Sequence, residues 1–101
     1  MRYSAKRDDN EAQIVDALEA CGATVQRLDA KGVPDLLVGY RNQNLLMEVK
    51  AHGDTLPTIV FVGADKRLTH RQREWLSKWN GQWTIVSTPN EAMKVLQEVA
   101  G

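Results

Sequence analysis

Three charged side chains mark the ends of two neighbouring apolar segments. Asp35 opens the stretch DLLV, and Glu48 and Lys50 close the stretch LLMEVK. Side chains two residues apart in a strand point to the same face, so Glu48 and Lys50 share a face, and a hairpin can bring Asp35 close to Glu48. Two adjacent carboxylates repel, which raises the pKa of one of them unless a cation lies between them. Mg²⁺ and Mn²⁺ prefer oxygen ligands, so the pattern indicates a metal site at the end of a hairpin, beside a lysine that can orient or polarise a bound water.

Two predicted helices each carry one polar residue at the N-terminal end of an apolar face. Glu11 and Gln72 each precede three apolar residues by three, four and seven positions. Those apolar residues are Ile14, Val15 and Leu18 in one helix and Trp75, Leu76 and Trp79 in the other. The spacings place both polar side chains on the core-facing stripe of their helices. We therefore expect Glu11 and Gln72 to converge on the hairpin.

Structural roles alone could also explain each of these residues. Asp35 follows a proline and could be a turn residue, and Glu48 with Lys50 could form an exposed ion pair worth less than about 1 kcal/mol. Glu11 favours the early turns of a helix through the helix dipole. Gln72, three residues after a threonine, matches a capping box. Taken singly, the residues leave these alternatives open, whereas their combination favours the metal site.

Apolar periodicity and turn chemistry predict the elements that position these residues. Two predicted helices cover residues 5–21 and 69–79, and a third begins where Thr88 can cap, Pro89 sits at the first helical position and Glu91 completes a capping box. The predicted strands cover residues 24–28, 34–40, 44–50, 58–62 and 82–88, with residues 42–44 supplying the hairpin turn. The order α-β-β-β-(β)-α-β-α predicts an α/β fold, a mixed sheet flanked by helices, in a single domain over residues 1–101.

The composition narrows the class of protein. The 101 residues are 43% hydrophobic and 26% charged, which is ordinary for a globular domain. No segment approaches the roughly 20 apolar residues of a membrane span, and the N-terminus lacks the apolar stretch of a secretory signal. A single cysteine fits a reducing compartment, so we expect a cytoplasmic location. Core positions are expected for Cys21, Trp75, Trp79 and Trp83, and surface positions for His52 and His70.

The stretch GVPDLLVGYRNQNLLMEVK resembles the core motif of the PD-(D/E)xK nuclease superfamily, with Pro34-Asp35 followed by Glu48-Val49-Lys50. More narrowly, it is similar to the small stand-alone VRR-NUC domains of phages and bacteria. Other features fit the order of that family: Glu11, Gly32, the series Leu68, Thr69, Gln72 and Trp75, and the terminal WTIVSTPNEAMKVL. The likeness spans residues 8 to 98, approximately, and it implies a restriction-endonuclease-like fold.

The resemblance implies a divalent-metal-dependent endonuclease. The implied catalytic residues are Asp35, Glu48, Lys50 and Gln72, and the implied metal ligands are Glu11, Asp35, Glu48 and the backbone carbonyl of Val49. Glu11 would bind directly or through water, Lys50 would position the attacking water and stabilise charge on the phosphate, and Gln72 would orient Lys50 or contact DNA. The implied reaction is hydrolysis of DNA phosphodiester bonds by a water activated by one or two Mg²⁺ or Mn²⁺ ions.

Basic residues cluster in two places although the formal net charge is zero. Five basic residues and one acid lie between Lys66 and Lys78, and a second basic group lies at the N-terminus. The candidate contacts to a phosphate backbone are Lys6, Arg7, Lys66, Arg67, His70, Arg71 and Arg73. Such contacts predict DNA binding that weakens steeply with salt. A solvated helix face is the alternative explanation of the basic run.

Residues 51–67 depart from the family pattern, which passes from E-x-K to T-x-x-Q through a short loop. The segment TIVFV, residues 58–62, is apolar throughout, and we expect an added sheet strand, a core strand or part of a homodimer interface. Stand-alone relatives resemble Holliday-junction resolvases in forming dimers, and two sites related by a two-fold axis suit a four-way junction or other branched DNA. Two alternatives stay open, namely a catalytically silent nucleic-acid-binding module of the same fold and an RNA-directed nuclease.

Overall fold

A computed structural model describes residues 10–51 and 68–100 of the chain. The helices are α1 (Glu11–Ala20), α2 (His70–Leu76) and α3 (Pro89–Ala100), and the strands are β1 (Thr24–Arg27), β2 (Leu36–Tyr40), β3 (Gln43–Val49) and β4 (Trp83–Val86). The strands form one sheet in the order β1-β2-β3-β4, antiparallel from β1 to β3, with β4 parallel to β3. The predicted α/β architecture, a mixed sheet flanked by helices, is confirmed.

Several predictions fall on residues outside the described part of the chain. These are the first helical residues 5–9, the strand at 58–62, His52, and the basic residues Lys6, Arg7, Lys66 and Arg67. Within the described ranges, no helix is long and apolar enough to span a bilayer.

The β2–β3 hairpin turns on two residues. Tyr40 pairs with Gln43, and the intervening Arg41 and Asn42 have φ angles of 49° and 65°. Positive φ at both central residues is the pattern of type I′ turns, whose twist matches that of the flanking strands. The prediction that residues 42–44 supply the turn is confirmed for Asn42 and wrong for Gln43 and Asn44, which already belong to β3.

One face of the sheet carries the hydrophobic core. Helices α1 and α3 cover this face, and their buried side chains pack with those of the sheet. Within this cluster, the residues at or below 2% exposure are Ile14, Leu18, Leu36, Val38, Met47, Val86, Ala92 and Leu96. Cys21, predicted in this core, is exposed. It continues the apolar spacing of α1, but it is the C-cap residue and lies beyond Leu18, the last buried residue of the helix.

Helix α2 is shorter than predicted, ending at Leu76 instead of Trp79. Leu76 is buried, whereas Trp79 is 40% exposed, so the core assignment of Trp79 is wrong. The Trp79 ring stacks on Trp75 with centroids 5.2 Å apart, and its indole N–H donates to the Gln82 carbonyl at 3.2 Å. A tryptophan beyond the last helical turn packs on its neighbours and does not reach the core.

Helix α3 begins as predicted, with one difference. The Thr88 hydroxyl accepts from the Glu91 backbone N–H at 3.1 Å, as an N-cap does. The Glu91 carboxylate accepts from the backbone N–H of Ser87 at 2.7 Å, one residue before the cap. The reciprocal bond of the capping box is therefore made to the preceding residue, which ties the end of β4 to the start of α3.

Candidate active site

The topology gathers the predicted site residues at one edge of the sheet. Leu36 pairs with Met47, so the same register places Asp35 opposite Glu48. The Leu28 N–H donates to the Asp35 carbonyl at 2.7 Å and extends the ladder towards β1. Residues directly opposite each other in an antiparallel pair lie on the same face, with Cβ atoms about 5 Å apart. The two carboxylates predicted to meet are therefore neighbours.

Glu48 is a buried acid whose bonding is incomplete. It is 3% exposed, and its Oε2 accepts from Gln72 Nε2 at 2.6 Å and lies 3.2 Å from Lys50 Nζ. Its Oε1 is buried and finds no hydrogen-bond partner among the described residues. Burial, and then the Asp35 carboxylate, raise the pKa of Glu48 from 4.5 to about 7, against the opposing effect of Lys50.

Gln72 connects helix α2 to the charged pair. Its backbone N–H donates to the Thr69 hydroxyl at 3.1 Å, and its Oε1 accepts from the Thr69 N–H at 2.9 Å. The same Oε1 accepts from Lys50 Nζ at 3.0 Å, while Nε2 donates to Glu48. The capping box is thus present, and the residue that completes it also bonds both members of the E-x-K motif. Its predicted convergence on the hairpin is confirmed.

Lys50 lies between two acceptors, Glu48 Oε2 and Gln72 Oε1. Its side chain is only 16% exposed and that of Glu48 is 4% exposed. The alternative of an exposed surface ion pair is therefore excluded. A partly buried ammonium with both acceptors in reach has a fixed position, which a long solvated lysine lacks.

Asp35 fixes the strand end on which the motif lies. Its Oδ2 accepts from the Val49 backbone N–H at 2.8 Å. The preceding loop packs tightly on α2: Gly32 has φ +82°, and a Cβ there would lie 2.9 Å from Arg71 Cγ and 3.1 Å from the Arg71 carbonyl oxygen. Glycine at position 32 allows the loop and the helix to approach closely enough for Asp35 and Gln72 to share the site.

Glu11 is buried, as its place on the apolar stripe predicts, with 3% exposure. Its Oε2 accepts from Arg27 Nε at 2.9 Å. The residue before it, Asn10, donates through Nδ2 to the carbonyls of Lys50 and Ser87 at 3.0 and 2.6 Å. The N-terminal end of α1 therefore lies at the sheet edge that carries the other site residues.

Arg27 and Asn10 were not predicted from the sequence. Arg27 contacts a residue 16 positions away in the sequence, and Asn10 contacts residues 40 and 77 positions away. Asn10 stands directly before the first helical residue, which is an N-cap signal, but its side chain makes no capping bond. The only local sequence signal at Arg27 is its position at the end of a short predicted strand.

The basic residues of α2 occupy different environments. His70 and Arg71 are exposed, as predicted for His70. Arg73 is half-buried, and its Nη1 donates to the Leu68 carbonyl at 3.0 Å. Arg73 therefore has a structural bond at the start of α2, in addition to any contact that it makes with a phosphate.

The donor set at the sheet edge suits a hard cation. Within residues 10–51 and 68–100, no group of three or more His, Cys, Asp or Glu side chains is gathered as an ion site. What the edge does offer is the Asp35–Glu48 carboxylate pair, with an unsatisfied oxygen on Glu48. Carboxylate oxygens are the ligands that Mg²⁺ and Mn²⁺ prefer. A cation there would offset both causes that raise the pKa of Glu48, namely its burial and the repulsion from Asp35.

Comparison of the chain with protein-family models, curated proteins and solved structures finds no match. The case for function therefore depends on the site.

Proposed function

We propose that this protein is a divalent-metal-dependent endonuclease of the PD-(D/E)xK type, similar to the VRR-NUC domains and with a restriction-endonuclease-like fold. The observation that carries the proposal is the buried Glu48 carboxylate. It is bonded by Gln72 and Lys50, faces Asp35, and keeps one oxygen without a partner among the described residues. The sequence motif and this geometry select the same residues.

Asp35 and Glu48 would hold Mg²⁺ or Mn²⁺, with the Val49 carbonyl as a further candidate ligand. A bound divalent cation would supply Lewis acidity towards the phosphate and offset the charge of the two carboxylates. Lys50, fixed by two acceptors, would place its ammonium beside the phosphate oxygens as negative charge develops on them. Gln72 would orient Lys50, because its Oε1 accepts from Nζ at 3.0 Å.

The proposed substrate is DNA, four-way junctions or other branched DNA in particular, cut by a homodimer in the cytoplasm of a bacterial or phage-infected cell. His70 and Arg71 would contribute phosphate contacts from the exposed side of α2, together with the basic residues outside the described ranges. Support for this part of the proposal comes from the resemblance and from the basic run.

The test is cleavage of labelled single-stranded, duplex, flapped and four-way-junction DNA in Mg²⁺, Mn²⁺ or EDTA. Asp35→Asn and Lys50→Ala are expected to lower the cleavage rate by at least about a hundredfold. Lys94→Ala, which removes an exposed lysine of α3, is the matched control and is expected to leave the rate unchanged. Circular dichroism and thermal melting establish that each variant is folded.

The pattern of results separates the competing functions. Metal-dependent cutting that both site variants lose, and that the control keeps, supports the nuclease, and the substrate ranking identifies the branch structure. Salt-sensitive binding without cutting in either metal contradicts the nuclease and favours a silent nucleic-acid-binding module. Cutting of RNA in preference to every DNA substrate identifies an RNA-directed enzyme with the same chemistry.

A further inference from the structure

We propose that Arg27 binds a backbone phosphate of the nucleic acid beside the active site, and that buried Glu11 is the positioning residue that holds its guanidinium. The inference rests on the proposed function for the identity of the ligand. It departs from the sequence-based expectation that Glu11 binds the metal ion.

The first observation is the asymmetry of the ion pair. Arg27 Nε lies 2.9 Å from Glu11 Oε2, and the arginine side chain is 48% exposed while that of the glutamate is 4% exposed. A buried carboxylate is costly to desolvate and needs a partner. A guanidinium that is fixed on one edge and open on the other is suited to bind a second anion, because it carries five N–H donors in a rigid fork.

The second observation is the location of Arg27. It is the last residue of β1 and pairs with Leu36, which directly follows Asp35. Strand geometry then places the Cα atoms of Arg27 and Asp35 about 6 Å apart. The guanidinium therefore lies at the sheet edge that carries the site, one strand from Asp35 and two from Glu48. Arg27 shares the face of its partner Leu36, which α1 covers, whereas Asp35 and Glu48 lie on the face towards α2. That position suits a phosphate of a nucleic acid that crosses this edge of the sheet.

The third observation concerns Glu11 itself. Asn10, its neighbour, bonds the carbonyls of Lys50 and Ser87, which anchors the start of α1 to the ends of β3 and β4. Glu11 is thereby fixed at this edge, where its carboxylate accepts from Arg27. A preorganised arginine loses less side-chain entropy on binding than a freely moving one.

The experiment measures the affinity for labelled DNA, duplex and single-stranded, by fluorescence anisotropy in EDTA across a KCl series. The main variant is the double substitution Glu11→Gln with Arg27→Gln, which leaves the net charge unchanged and lets the two amides bond each other. We expect several-fold weaker binding at low salt, and a salt slope smaller in magnitude by about 0.9, the value for one lost phosphate contact. Arg41→Gln, at the hairpin turn on the opposite end of the sheet, is the control and is expected to keep the wild-type slope.

Glu11→Gln alone tests the positioning role. This variant raises the net charge by one, so bulk electrostatics predicts tighter binding, whereas loss of the anchor predicts weaker binding. Its Mn²⁺ affinity, measured by calorimetry, is expected to stay within about twofold of wild type, because Glu11 acts through Arg27. Loss of Mn²⁺ binding in this variant would assign Glu11 to the metal and overturn the inference.

The outcomes separate this inference from the proposed function. The role of Arg27 is overturned, even if the protein cuts DNA, when the double variant keeps the wild-type salt slope. It is also overturned when Arg41→Gln reduces the DNA affinity and the salt slope as much as the double variant does. A wild-type protein that binds no nucleic acid overturns it as well. If no cutting occurs but the double variant alone loses a phosphate contact, the binding site stands and the hydrolase proposal fails. Where cutting occurs, the double variant is expected to raise KM more than it lowers kcat.

Discussion

Replacing Glu48 by glutamine is expected to stabilise the metal-free protein at pH 8 and to change its stability much less at pH 5. The pKa of Glu48 is raised from 4.5 to about 7, chiefly by burial and next by the Asp35 carboxylate. The folded protein therefore holds the Glu48 proton more tightly than the unfolded chain does, and ionising this group costs free energy of folding.

The sign and the pH window follow from these two pKa values. The stabilisation that the protonated carboxyl provides is full below the unfolded pKa of 4.5, and it is lost as the pH rises through about 7. One pKa unit corresponds to about 1.4 kcal/mol, so the stabilisation lost over the whole titration is about 3 kcal/mol. About 2 kcal/mol of this stabilisation is lost between pH 5 and 8. Glutamine mimics the protonated form and has no charge to lose. The free energy of unfolding of Glu48→Gln should therefore exceed that of wild type by up to about 3 kcal/mol at pH 8 and by about 1 kcal/mol at pH 5.

The assay is urea unfolding of wild type and Glu48→Gln at pH 5, 6, 7 and 8 in EDTA. Glu98→Gln, on the exposed side of α3, is the control and is expected to stay within about 0.5 kcal/mol of wild type throughout. Added Mn²⁺ at pH 8 should stabilise wild type and leave Glu48→Gln unaffected, because metal binding relieves a charge that the variant lacks. A Glu48→Gln protein less stable than wild type at pH 8, or a difference that is constant from pH 5 to 8, would refute the reasoning.

Three further substitutions test how the elements hold the site. Gln72→Leu removes the side-chain half of the capping box and leaves Glu48 Oε2 without its amide donor. We expect the free energy of unfolding by urea to fall by about 1–3 kcal/mol and the cleavage rate to fall by a larger factor. Gly32→Ala places a Cβ 2.9 Å from Arg71 Cγ at a φ of +82°, and should lower the urea midpoint by the equivalent of about 1–3 kcal/mol. Changing Arg41 and Asn42 to Asn-Gly supplies the preferred type I′ pair, and should stabilise the hairpin by about 1 kcal/mol without changing cleavage.

The sequence predicted those parts of the fold that depend on local periodicity. The apolar runs LLV and LLMEV, joined by a polar turn, defined the hairpin, and the helical spacing after Glu11 correctly predicted a buried carboxylate. Gln43 and Asn44 were wrongly assigned to the turn because register is set by which apolar side chains face the core. Pairing Leu36 with Met47 leaves only Arg41 and Asn42 between the strands.

The remaining errors arise where an element ends. The spacing that suggested buried positions for Cys21 and Trp79 continues past the last helical residues, Ala20 and Leu76. Trp79 lies three residues beyond Leu76, where a period of 3.6 residues no longer determines the direction of a side chain. Cys21 is the C-cap residue of α1 and lies past Leu18, the last buried residue of that helix. The partner of Glu11 could not be read from the sequence for a different reason. Arg27 meets it only because β1 packs beside α1, which is a tertiary contact.

Structural roles account for part of the site but not for all of it. The capping box explains why Gln72 follows Thr69 by three residues, and a buried acid explains why Lys50 stays close. Neither explains an oxygen of Glu48 that is buried without a partner among the described residues, nor the second carboxylate that faces it. An amide at position 48 would keep the bond from Gln72 without the charge repulsion. Ionising Glu48 at alkaline pH therefore costs about 3 kcal/mol of stability in the metal-free protein, and under the proposed function a bound cation would offset that cost.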